Sequence, residues 1–246
     1  MGSSDTDWQD VTFNDNAPVQ NHHLAISGAS DQVDYFLTLG YYKSEGIVGG
    51  NYGRSNYERL SLNTNSNYTI FDESKNRNWL QKLKIGENVS YSRIRNTSIE
   101  TNSLTGSALG NALFLSPLMS VYADDEEALN TQYANQIDQY GPLVRDKLTG
   151  DVVNQVERNV PTDDFNEISN PLGYLSLPSE KYNSDKFVAN FYAELSLWDT
   201  IKFRTSYGAD LSFWGTDGWS KPYYLAKNAH NDTAGGAAQR LYTGAP

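Results

Sequence analysis

The stretch Phe187-Val188-Ala189-Asn190-Phe191-Tyr192-Ala193-Glu194-Leu195-Ser196-Leu197-Trp198, followed after Asp199-Thr200 by Ile201-Lys202-Phe203-Arg204-Thr205-Ser206-Tyr207-Gly208-Ala209-Asp210-Leu211-Ser212-Phe213, decides the fold. One set of alternate residues is apolar but for Thr205: Phe187, Ala189, Phe191, Ala193, Leu195 and Leu197, then Ile201, Phe203, Thr205, Tyr207, Ala209, Leu211 and Phe213. The interleaved set is Val188, Asn190, Tyr192, Glu194, Ser196 and Trp198, then Lys202, Arg204, Ser206, Gly208, Asp210 and Ser212, and is mostly polar. A period of two is what an extended strand with two differently solvated faces requires, and a minimal turn at Asp199-Thr200 makes the pair an antiparallel hairpin.

Working outward, the same period recurs. Tyr35, Leu37, Leu39 and Tyr41 alternate with Phe36, Thr38, Gly40 and Tyr42. Leu60, Leu62, Thr64, Ser66, Tyr68 and Ile70 alternate with Ser61, Asn63, Asn65, Asn67 and Thr69, a wholly polar face. Leu83, Ile85, Val89 and Tyr91 alternate with Lys84, Gly86, Asn88 and Ser90, and only Glu87 breaks the apolar row, as an edge or rim residue would. A weaker strand, with Leu24 and Ile26 on one face, runs from His22 to Ser27. Such strands exceed the ~5–6 residues usual in globular sheets and suit the ~9–11 needed to cross a bilayer. Their polar faces are too hydrated for the inside of a sandwich, where each unpaired group costs ~1–3 kcal/mol. They suit a water-filled lumen, and the apolar faces, with aromatics near strand ends, suit lipid.

Connections alternate in length: Gly28 to Gln32 is short, Ser44 to Ser55 longer, Asp72 to Asn78 short, Thr97 to Glu180 very long and Asp199-Thr200 minimal. Outer-membrane barrels show this parity, with short periplasmic turns and long outer loops. In the long excursion, Asp124 to Glu127 precede Ala128 and Leu129 as the acidic first turn of a short helix between Ser120 and Ile137. Gly141-Pro142, Thr149-Gly150 and Asn170-Pro171 read as turns. The expected fold is all-β: an antiparallel transmembrane β-barrel segment of about six long strands, an incomplete barrel, with one long extracellular loop containing a short helix. Its divisions are a lead-in from plug to barrel over 1–19, first barrel strands over 20–97, the loop over 98–180, further strands over 181–227 and a truncated extracellular loop over 228–246. The last is inferred from Ala-, Gly-, Asn- and Thr-rich sequence without a strand pattern.

Composition narrows the function. Nineteen Lys and Arg against 30 Asp and Glu give a net charge of −11, which argues against a nucleic-acid partner. No cysteine is present, so disulfides, thiolate metal sites and a cysteine nucleophile are excluded. Mean hydropathy of −0.61 and the lack of a long apolar run exclude helical spans but not a barrel. No secretion signal precedes Asp5, so the chain is either intracellular or a piece of a longer precursor.

Several segments together resemble the early barrel of SusC/RagA-type TonB-linked outer-membrane transporters: Asp7-Trp8-Gln9-Asp10, Ala17 to Gly28, Tyr35 to Tyr41, Glu45-Gly46-Ile47-Val48, Leu83 to Ser92, Asn170-Pro171-Leu172 and Ile201 to Gly208. The resemblance covers nearly the whole chain, which would amount to roughly a quarter of such a transporter. The family's signal peptide, small β-domain, TonB-contacting segment and plug find no counterpart here. It implies a bacterial outer-membrane location, import of oligosaccharides or peptides, a SusD-like lipoprotein partner and TonB acting through a plug. About six strands cannot close a membrane barrel, so two open edges are expected.

Candidate sites are few. Trp214, Trp219, Tyr223 and Tyr224 lie near a strand end, where rings could stack on sugars or peptide side chains; an interfacial girdle with loop packing is the plainer reading. Asn63, Asn65, Asn67, Lys202, Arg204 and Asp210 are expected to face the lumen. His22 and His23, adjacent on a strand, point to opposite faces and cannot clasp one metal. Asp124 to Glu127 and Asp163-Asp164 lack calcium-loop spacing and read as solvated charge. Gly46 to Gly53 lacks the residues of a phosphate loop and reads as a flexible outer turn. No cofactor, metal or catalytic set is expected, and the chain reads as no enzyme. A soluble or surface glycan-binding module is the alternative to an importer.

Overall fold

The computed structural model describes residues 5–72, 79–100, 103, 106–156, 168–198 and 200–245. Seven strands form one antiparallel sheet in the order β1-β2-β3-β4-β5-β6-β9: β1 (Val19–Ala29), β2 (Val33–Ser44), β3 (Tyr57–Phe71), β4 (Leu80–Thr97), β5 (Lys181–Leu197), β6 (Ile201–Ser220) and β9 (Gly235–Ala245). A two-stranded hairpin, β7 (Tyr223–Ala226) with β8 (Ala229–Asn231), stands apart.

Register assigns each residue to a face. Leu24 pairs with Leu39, Leu39 with Leu62, Leu62 with Tyr91, Tyr91 with Phe187 and Phe187 with Leu211, so the apolar rows of six strands merge into one face. The row Thr38, Asn63, Ser90, Val188 and Asp210 belongs to the other. No second layer of the described residues covers the apolar face: Phe203 is 54% and Tyr207 65% exposed, with Trp79 and Trp198 exposed at the short-turn end. A water-soluble sheet would leave this surface as an aggregation patch, whereas a bilayer covers it.

The connections keep the expected parity. The connections from β1 to β2, β3 to β4 and β5 to β6 fall at one end of the sheet, and the described residues of 45–56, 98–180 and 221–234 gather at the other. Asp199 and most of 72–78 lie outside the described residues. The buried core of the chain is in this long-loop layer, which holds α1 (Trp8–Thr12), α2 (Ala108–Phe114), α3 (Glu126–Gln132), α4 (Ala134–Tyr140), α5 (Pro171–Ser176) and the β7–β8 hairpin. Tyr52, Val144, Val153, Leu172, Leu175 and Leu225 form one cluster there; Trp8, Ala112, Leu115 and Met119 form another.

Four expectations change. Among its described residues the loop has four short helices rather than one, and the acidic run is split: Asp125 caps α3 through Ala128 N at 2.9 Å, while Tyr133 ends α3 and α4 follows. Asn170-Pro171 is a helix start, with Asn170 Oδ1 accepting from Leu172 N at 3.1 Å and Pro at the first helical position. Residues 223–226, placed among the barrel strands, belong to the loop-layer hairpin, and the 228–246 loop contains β9, a seventh strand on β6. Gly-Gly-Ala-Ala has no side chains large enough to alternate, so β9 is specified by backbone pairing to the open edge of β6 rather than by pattern. The turn at Gly46 to Gly53 is packed, not loose: Tyr52 is buried, Gly49 and Gly53 adopt φ of 69° and 76°, and a Cβ on Gly50 would stand 2.2 Å from Gly46 O.

Candidate functional site

The hydrophilic face carries local groups of cross-strand hydrogen bonds. Asn63 donates to Thr38 Oγ1 at 3.1 Å and accepts from Ser90 Oγ at 2.7 Å; Asn67 donates to Asp34 Oδ1 at 2.6 Å and accepts from the Tyr192 hydroxyl. The Arg204 guanidinium lies 4.2 Å from the centre of the Tyr192 ring, and Lys186 Nζ is 3.5 Å from Asp210 Oδ2. Asn63, Asn65 and Asn67 of β3 and Lys202, Arg204 and Asp210 of β6 thus share one face, in register through β4 and β5. Amides, hydroxyls and spaced charges of both signs hold water and polar solutes without a deep well for any one of them.

Along β6 the apolar face runs from Ile201 to Phe213, about 41 Å at ~3.4 Å per residue. With a barrel tilt of ~40–45° that gives roughly 30 Å of height, the hydrocarbon thickness of a bilayer. At the top of that band the same face turns charged, beginning with Arg93 and Asp185, then Lys43, Glu58 and Arg95, then Lys181 and Asp217. A recess of about 710 Å³ lies there, bounded by Lys43, Glu58, Arg95, Lys181, Asp217 and Trp219 of the strand ends and by Tyr52, Lys147, Ser176 to Ser179 and Lys221 of the loop side.

The four aromatic candidates do not form one platform. Trp214 is on the hydrophilic face, tilted against Tyr182 at 6.5 Å, and Trp219 is on the opposite face, 62% exposed in the recess. Tyr224 is 3% exposed, in a ring cluster with Tyr133, Tyr140 and His230, and so packs the loop layer. Tyr223 is half-buried nearby, and burial raises its pKa while the Arg54 charge partly offsets this. Two residues of each kind cannot share a ligand face, because neighbours in a strand alternate and the chain leaves the sheet at Lys221. His22 stacks on Tyr41 at 6.3 Å while His23 faces the other way. Glu126 pairs with Arg145, and Asp163-Asp164 lies outside the described residues.

Patterning missed the polar centre of the loop layer. The buried Asp146 carboxylate accepts from Tyr52 OH at 3.0 Å, Tyr122 OH at 2.5 Å and Leu148 N at 2.8 Å. Burial and the Asp146 charge push the Tyr122 hydroxyl up to about 12, and burial raises Tyr52 further. Arg54 donates to the carbonyls of Tyr174, Leu177 and Pro178, at 2.9, 2.5 and 3.3 Å, tying the 45–56 turn to α5; desolvation lowers its pKa. Contacts separated by about a hundred residues carry no local period, so no sequence signal announces them.

A two-faced, unclosed sheet of membrane-crossing length with one structured loop end defines a section of outer-membrane β-barrel wall. No family model matches the chain. It is 27% identical over 198 residues to the TonB-dependent receptor SusC of Bacteroides thetaiotaomicron, 77% of this chain and 16% of that protein. It is 25% identical over 205 residues to the TonB-dependent receptor P3 of Formosa agariphila, 83% of this chain and 16% of that protein. In fold it is similar to the RagAB peptide importer in its closed-closed state, with a TM-score of 0.57 at 18% identity over 89% of this chain and 20% of that one. The chain is similar to TonB-dependent receptors of the SusC/RagA type, and its place is the bacterial outer membrane. It spans about a sixth of the length of the curated relatives it matches.

Proposed function

We propose that the chain is part of the barrel wall of a TonB-dependent outer-membrane importer of oligosaccharides or peptides that works with a SusD-like lipoprotein. The apolar face of Leu24, Leu39, Leu62, Phe187 and Leu211 seals against lipid. The face of Asn63, Asn65, Asn67, Lys202, Arg204 and Asp210 lines the solvent-filled interior, where its weak, distributed hydrogen bonding lets a polar solute pass. The long-loop layer stands outside the cell, offering the ground on which a lipoprotein lid and substrate meet, and gating belongs to a plug region coupled to TonB. The role is one of binding and conduction rather than of chemistry.

The observation that carries this reading is the separation of the two faces across six paired strands with loop length sorted by end. Deleting the gene of the full-length receptor should abolish growth on one class of oligosaccharide or peptide while leaving growth on the matching monosaccharides or amino acids intact, and loss of TonB should reproduce the defect. Unchanged growth on every such polymer would overturn the reading.

A further inference from the structure

We propose that the cationic recess at the long-loop rim binds the phosphorylated saccharide headgroup of an outer-leaflet glycolipid. The inference rests on the reading above that the apolar face meets the bilayer. In a chain of net charge −11, the recess gathers the cations Lys43, Arg95, Lys147, Lys181 and Lys221 against the carboxylates of Glu58 and Asp217. Two of the cations are already engaged: Lys43 pairs with Glu45 at 3.1 Å and Lys147 donates to Tyr52 O at 2.7 Å. Arg95, Lys181 and Lys221 are exposed and take part in no ion pair among the described residues.

Position says which anion they meet. Arg95 and Lys181 share the face of Tyr91 and Phe187 and stand above the apolar band along their own strands, Arg95 beyond Arg93 and Lys181 beyond Asp185 and Asn183. A lipid whose chains lie along Phe187, Leu211 and Phe213 therefore places its headgroup in the recess, with exposed Trp219 at the rim for a sugar ring to stack on. A soluble solute in the lumen sits across the wall from Arg95 and Lys181. The outer leaflet of a Gram-negative outer membrane carries phosphate on a sugar headgroup, which matches clustered cations beside an exposed indole.

The test uses the full-length receptor extracted in mild detergent, with retained lipopolysaccharide measured on the purified protein. Wild type and a Lys84→Gln/Lys186→Gln variant, altered on the hydrophilic face, should retain it. An Arg95→Gln/Lys181→Gln/Lys221→Gln variant should retain at least tenfold less, and the Lys181→Gln and Lys221→Gln single variants about fivefold less each. Heat-modifiable migration on gels confirms a folded barrel in each sample; if the triple variant fails to fold, the single variants decide. Equal retention by wild type and the decisive variants overturns the proposal, as does tighter binding of the delipidated, phosphorylated core saccharide than of lipopolysaccharide vesicles, which would make the recess a solute site. A cysteine at Leu62 that reacts with a water-soluble maleimide while one at Asn63 does not would reverse the wall and remove the underlying reading too. A protected Leu62→Cys with unchanged lipid retention removes this inference alone.

Discussion

Glu87 sits on the apolar face with Ile85 and Val89, where a lone carboxylate in lipid is unfavourable. It is neither at an edge nor at a rim but in mid-sheet, because β3 supplies its partners. Thr64 Oγ1 lies 3.0 and 2.9 Å from its two oxygens and Ser66 Oγ lies 3.0 Å from one. Two hydroxyls thus take up a charge that the alternation rule forbids, and the two polar breaks in the β3 row, Thr64 and Ser66, answer the break in β4. The asymmetry of buried hydrogen bonds fixes the sign of the mutants. Thr64→Val/Ser66→Ala strands the carboxylate and should lower the stability of the full-length receptor by about 2 kcal/mol. Glu87→Val removes the charge with its need for donors and should stay within about 1 kcal/mol of wild type. Thermal unfolding in detergent measures both, and a Glu87→Val loss as large as that of the double variant would contradict the argument.

At the scale of elements, the loop layer is tied together by residues far apart in sequence. Trp8 Nε1 donates to Ser116 O at 2.9 Å, and Thr6 Oγ1 to Met119 O at 2.7 Å, so the described part of the 1–19 lead-in is a constituent of this layer before the chain enters the sheet at Val19. Tyr52 and Tyr122 meet Asp146 from two other loops. Both hydroxyls must stay protonated to donate. A pKa raised in the folded state means that the folded form holds the proton more tightly, so the contribution to stability is complete below the ordinary tyrosine value of 10 and is lost as pH climbs toward about 12. The loop layer should therefore loosen between pH 10 and 12 with no matching transition from these groups at neutral or mildly acid pH. Protease sensitivity of the 98–180 segment across that range would show it, and Tyr52→Phe/Tyr122→Phe should abolish the alkaline step.

For the whole molecule, the sheet ends at β1 on one side and β9 on the other, and neither has a further strand among the described residues. Open edges and a bare apolar face together predict that this chain, expressed by itself, associates in detergent-free buffer and disperses in detergent. Size-exclusion chromatography decides, and a stable monomer without detergent would favour the soluble glycan-binding module instead. Much of this architecture was legible because membrane strands write their two solvents into every second residue. Five of the strands were visible as period-two rows, and the observed strands run beyond those rows: β4 reaches Thr97 and β6 reaches Ser220, past the last apolar residues, since above the bilayer both faces meet water and alternation has no cause.

The amino-acid sequence by itself determined the strand faces, the parity of the connections and the assignment of Asn63, Asn65, Asn67, Lys202, Arg204 and Asp210 to one side, because each follows from contact between neighbours along the chain and a two-phase solvent. Tertiary structure alone decided that Gly235–Ala245 is a strand, that Tyr224 is core while Trp219 is exposed, and that Arg95, Lys181 and Lys221 converge. Those outcomes depend on pairing and packing between segments distant in the chain, and small side chains, loop aromatics and scattered cations carry no local period from which the distant partner can be read.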